Sequence, residues 1–197
     1  MTERGPLSEV LCVRGDAFVM SSANGDIVPG GDQGYYDRDT RFLDRLELRI
    51  DGRPPIHLAT VSTGGDSALF HACLPPSHPG DADPTVSLVR QRVVDGGLRD
   101  RITLRNASAQ PVTLDVTLRI GTDFASVQDV KHGRALEEVG ASAEERRITT
   151  VVTVPARGET VVLVEADTSS SHDGDEDGED RAEQWEADRQ RAGRDRP

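Results

Sequence analysis

Residues 112–120, VTLDVTLRI, decide the fold class. Val112, Leu114, Val116, Leu118 and Ile120 are apolar, and Thr113, Asp115, Thr117 and Arg119 between them are polar. Successive side chains of an extended chain point to opposite faces, so this alternation marks a strand with one dry face and one wet face. Residues 101–105, RITLR, repeat the pattern with Ile102 and Leu104 inward. The polar connection NASAQP between them ends in Pro111 and predicts a hairpin joining the two strands.

The same pattern recurs along the chain. Leu46, Leu48 and Ile50 alternate with Glu47 and Arg49, and Asp51-Gly52 supplies a tight turn. Pro54-Pro55 delays the return strand to 56–62. Further strands are expected at 10–14, 17–21, 67–73, 85–94, 148–154 and 160–165. Asp95-Gly96-Gly97 and the segment PARG at 155–158 read as turns joining neighbouring strands. Strands at this density with Gly, Pro and Asp turns predict an all-β domain, an antiparallel sandwich over residues 9–167. The prolines of LPPSHPGDADP, 74–84, make that segment a loop. Residues 1–8 are read as a flexible N-terminus.

Composition narrows the function classes. The chain has 197 residues, 35% apolar and 4% aromatic, with a formal net charge of -12. A surplus of acid argues against nucleic acid and against an anionic membrane surface, because both recruit Lys and Arg. No basic leader followed by an apolar segment opens the chain, and no apolar run approaches the ~20 residues that span a bilayer. These readings place the protein in the cytoplasm. Cys12 and Cys73 lack CxxC spacing and read as buried thiols in a reducing compartment. Residues 171–197 carry ten Asp/Glu and five Arg, with Trp185 and a few alanines as their apolar content. Such a segment buries too little to offset its ordering entropy, so 168–197 is expected to be a disordered acidic tail. The run DGDEDG at 173–178 resembles the opening of a calcium loop, but the twelfth position is Gln184, where that loop requires Glu. The histidines show no metal-ligand spacing, and no cofactor motif is present.

The densest chemistry lies in residues 31–52, GDQGYYDRDTRFLDRLELRIDG. There Asp37, Arg38, Asp39 and Arg41 follow Tyr35 and Tyr36. In an extended segment Asp37 and Asp39 share a face with carboxylates ~6–7 Å apart, between the spacings of retaining and inverting glycosidases. Arg38 and Arg41 favour both carboxylates ionised, which suits a clamp better than a general acid. No catalytic residue is assigned. Tyr35, Tyr36, Asp37, Arg38, Asp39 and Arg41 are read as a structural clamp that pins a Gly-rich loop to the sandwich. The alternative reading is a contact for carbohydrate or a partner, with tyrosines stacking on a ring and carboxylates accepting from hydroxyls.

The step Gly34-Tyr35-Tyr36 followed by Arg38 to Leu43, RDTRFL, resembles the N-terminal domain of bacterial glycogen debranching enzymes of the amylo-α-1,6-glucosidase type. Tyr35 stands where that family carries an aliphatic residue. The segments VLCVRGDAFVMSSANGDI (10–27), RDRITLRN (99–106), PVTLDVTLRIGTDFASVQDV (111–130) and 151–164 are similar to the family's strands, including its Asp-Phe-Ala step. Between Val130 and Ile148 the chain is shorter than the family pattern, as if a strand pair were reduced. In that family the sandwich precedes a helical barrel that carries the glycosidase acid and base. The resemblance therefore implies a non-catalytic accessory module, with a helical glycosidase domain and an α-glucan as expected partners. A free-standing carbohydrate-binding module and a truncated gene product are the alternatives.

Overall fold

The computed structural model describes residues 9–75, 84–133 and 144–167. The stretches 1–8 and 168–197, read above as flexible, and most of the loop at 74–84 lie outside them. Twelve strands occur among the described residues. They are β1 (Val10–Arg14), β2 (Ala17–Ser21), β3 (Gly34–Asp37), β4 (Thr40–Leu43), β5 (Arg45–Ile50) and β6 (Ile56–Ser62) in the first half. The second half adds β7 (Ser67–Cys73), β8 (Val86–Val94), β9 (Leu98–Asn106), β10 (Val112–Thr122), β11 (Glu144–Val154) and β12 (Glu159–Ala166), with one short helix, α1 (Val127–Lys131).

All pairings are antiparallel. One layer is a five-stranded sheet in the order β12-β9-β8-β7-β6; facing it are a sheet β1-β2-β3-β4 and a sheet β11-β10-β5. A single apolar cluster joins the three, including Val19 and Tyr35, Leu48 and Val116, and Phe70 and Ile102. β1 and β2 touch β8, and β11 touches β9 and β12, so the layers close into a sandwich. The inward positions are those expected from alternation: Leu114, Val116 and Leu118 on β10, and Ile102 and Leu104 on β9, are buried.

Three predicted connections are corrected. The strands at 101–105 and 112–120 are not a hairpin: β9 lies in the five-stranded sheet and β10 in the three-stranded one. Asn106 explains the crossing. Its Nδ2 donates to Gln110 O at 2.7 Å and Pro155 O at 3.2 Å, while its Oδ1 accepts from Ser108 N at 2.9 Å. The buried amide thus bends the link over the sandwich end and ties it to the 155–158 turn. That turn also crosses layers, from β11 to β12, where a simple pair was expected. The Asp51-Gly52 turn forms as read, with φ of 49° and 74° at its two positions, but β6 does not return beside β5: it is the edge strand of the five-stranded sheet.

No strand is expected from the pattern of residues 34–43, and they form the β3–β4 hairpin. α1 follows the Asp-Phe-Ala step, capped by Ser126, whose Oγ accepts from Asp129 N at 3.1 Å.

Candidate functional site

The β3–β4 hairpin is built around one arginine. Arg41 follows Thr40 on β4, and alternation turns its side chain inward, where only 3% is exposed. Its guanidinium grips Asp123 by two nitrogens: Nε donates at 3.1 Å to both carboxylate oxygens, and Nη2 donates to Oδ2. Nη1 donates to Gly31 O at 2.8 Å, which fastens the Gly-rich loop to the same group. Planar, charge-assisted pairing of this kind fixes direction as well as distance. Burial alone would lower the Arg41 pKa, but the hydrogen bond and charge of Asp123 reverse this and raise it.

The glycine before the tyrosines is required by crowding. A Cβ on Gly34 would stand 2.6 Å from Arg41 Cδ and 2.9 Å from Leu43 O. Tyr35 and Tyr36 are 1% and 2% exposed. The Tyr36 ring is stacked on Phe18 at 4.5 Å, and its hydroxyl donates to Asp32 O at 2.8 Å. Burial raises the Tyr36 pKa. The faces that would receive a sugar ring are therefore taken by protein.

The remaining charges lie elsewhere. Arg38 and Asp39 form the exposed two-residue tip, Arg38 with φ of 54°. Their backbones are held: Arg38 N donates to Asp16 O at 3.0 Å, and Asp39 O accepts from Val127 N at 2.9 Å. Asp37 is half-buried at the end of β3. Of the six residues singled out in the sequence, the structure buries Tyr35, Tyr36 and Arg41, with Tyr36 paired across the hairpin to Arg41 and Tyr35 to Leu43, and leaves Arg38 and Asp39 outside. Asp37 and Asp39 flank a turn rather than share an extended face.

The sequence reading missed Asp123, 82 residues away from Arg41. Its signal was the Asp-Phe-Ala step, where Phe124 takes a φ of 51° and lies edge-on to Phe42 at 5.9 Å. Asp44 sits beside the clamp; burial, then the charge of Asp123, raises its carboxyl pKa.

A second charged cluster lies between the layers. Arg90 and Arg92 on β8 and Asp100 on β9 are 0–1% exposed. Asp100 accepts from Arg90 Nε at 2.6 Å and from Arg92 Nε and Nη2 at 2.8 Å. Arg90 Nη1 crosses to Asp26 Oδ1 at 3.0 Å, and that oxygen also accepts from Leu48 N on β5 at 3.0 Å. Asp26 thus joins the two layers through charge. Burial pushes the Asp100 pKa upward, but Arg90 and Arg92 outweigh it and hold the carboxyl below its ordinary value. The sequence signal was phase: Arg90 and Arg92 fall on the same face as Val86, Leu88 and Val94, all buried. Beside this cluster a cavity of about 10 Å³, near the minimum for one water, is lined by Asn24, Asp26, His57, His71 and Arg90 among others. No group of three or more His, Cys, Asp or Glu among the described residues could hold a metal ion. No described helix is long and apolar enough to cross a membrane.

Fold and clamp together define an antiparallel β-sandwich module whose β3–β4 hairpin is tied to the end of β10 by a buried arginine. The chain belongs to the family described as the N-terminal domain of (some) glycogen debranching enzymes, whose model matches residues 12–190. The match takes in the clamp, both layers and the segment after Asp167 as far as Gln190. No curated protein matches the chain.

Proposed function

We propose that this module is non-catalytic and docks on a helical glycosidase domain of the debranching type, through the outer face of its five-stranded sheet. The observation that carries the reading is the character of that face. Val61, Leu69, Gln91, Arg101 and Leu163 stand in one cross-strand row over all five strands. Val61 is 46% exposed and Leu163 58%, and Ile56 on the edge strand is 46% exposed. Val89 and Val93 lie on the same side, out of phase with the buried residues of β8. A sheet face with this much apolar surface and no covering layer among the described residues suits a partner. Membership of the debranching-enzyme family supports the choice of a helical glycosidase domain as that partner.

The test is sedimentation or calorimetry of the chain with a purified helical debranching domain. Association is expected, weakened about tenfold or more by Leu163→Asp, since a buried anchor carries at least ~1.4 kcal/mol. Release of glucose from α-glucan by the chain alone would overturn the reading. So would heat with maltooligosaccharide but none with the helical domain.

A further inference from the structure

The outer face of the five-stranded sheet has a second property, its charge. In a chain with net charge -12, β6, β7, β8 and β9 put no carboxylate on it. Its charged groups there are Arg99, Arg101 and Arg105, in phase along β9. Glu165 and Glu159 on β12 pair with Arg99 at 2.8 Å and Arg105 at 3.0 Å, at the rim. Arg101 between them faces Leu163 and Gln91 and has no ion-pair partner among the described residues. The face therefore presents an open cation within an apolar field.

The chain carries a segment of matching character. Residues 173–188 hold nine Asp/Glu against Arg181, and they include Trp185, the single tryptophan of the protein. The strand that leads to them, β12, is the edge of this same sheet, and its last residue Ala166 pairs with Leu98. Six residues from Asp167 to Asp173 reach up to ~20 Å, whereas neighbouring strands lie only ~4.8 Å apart. The family match also continues through this segment, to residue 190.

We propose that residues 173–188 dock on the outer face of the five-stranded sheet of their own chain, with carboxylates at Arg101 and its neighbours and Trp185 against the valine and leucine row. The segment then covers the face through which the module binds its helical partner, and it competes with that partner. The competition rests on the docking role proposed above; the intramolecular contact does not.

Trp185 reports on the contact in the intact protein alone. At low ionic strength its emission should be blue-shifted and protected from acrylamide. Arg101→Glu combined with Arg105→Glu should move the emission to that of a water-exposed indole, with an unchanged strand signal in circular dichroism. Arg38→Glu combined with Arg53→Glu, at two exposed turns away from this face, serves as the charge-matched control and should leave the emission in place. Wild-type Trp185 emitting and quenching like a free indole at low salt would overturn the proposal. So would a shielded Trp185 that the double variant leaves shielded. No glycosidase domain is present in this measurement, so its result stands apart from that of the partner titration.

Discussion

Arg41 and Asp123, 82 residues apart in the chain, form a buried bidentate ion pair at the junction of the β3–β4 hairpin and the end of β10. One partner arrives on β4, the other just after β10, and the guanidinium also holds Gly31 O at 2.8 Å. This relationship makes the charged stretch a clamp and shows which of its charges matters.

Breaking the pair leaves an uncompensated charge inside. Asp123→Ala or Arg41→Ala should therefore cost about 3–5 kcal/mol in urea denaturation. Arg38→Ala, at the exposed tip, should stay within about 0.5 kcal/mol, as surface substitutions do. Equal losses for Arg38→Ala and Arg41→Ala would contradict the clamp as drawn.

Gly34 has no positive φ to explain it, so its requirement is steric. Gly34→Ala pushes a methyl against Arg41 Cδ and Leu43 O and should destabilise by about 1–3 kcal/mol. Gly15, with open space around it but a φ of 61°, should respond to Ala through backbone strain alone. Combining each with Asp123→Ala tells the mechanisms apart: the Gly34 effect should be non-additive and the Gly15 effect additive.

Asp44 and Asp100 should pull stability in opposite directions with pH. The Asp44 carboxyl is raised by burial and by Asp123. Its contribution is fully present below the unfolded value of ~3.9 and is lost as pH rises through the raised folded value. Asp44→Asn should thus raise the melting temperature at pH 7 relative to wild type, and not at pH 3. A lower melting temperature at pH 7 would mean that the charge of Asp44 is needed.

Asp100 is held below its ordinary value despite burial, by Arg90 and Arg92. Its contribution is present above the unfolded value and disappears as pH falls through the depressed folded one. Asp100→Ala strands two buried guanidiniums and should cost about 3–5 kcal/mol at pH 7. A stability curve for that variant parallel to wild type throughout the acid range would refute the assignment.

Arg90 links the layers through Asp26 as well as Asp100. Arg90→Lys keeps the charge but offers no planar fork, and it should lose one of the two links. A drop of about 1–3 kcal/mol, as for a lost hydrogen bond to a charged group, is expected. The same loss for Asp26→Ala, with no further loss in the double variant, would show that the interlayer arm carries it.

Period-two alternation determined the strands of this protein from the sequence by itself, β3 and β4 excepted. Side-chain direction is a local property of extended backbone, so VTLDVTLRI could only be a half-buried strand, and the buried residues of β7 to β10 follow the same phase. The phase extended to Arg90, Arg92 and Asp100, although apolar residues alone were taken as core. The motif RDTRFL also carried the family. Local pattern names the face a side chain occupies but not which of two stacked sheets receives the strand. Tertiary structure alone therefore decided that β9 and β10 part company at Asn106 and that β11 and β12 cross layers at Pro155. It also decided that Arg41, among four neighbouring charges, meets Asp123. An ion pair between residues 82 apart exists only once both strands are packed, because burial is what makes each charge require the other.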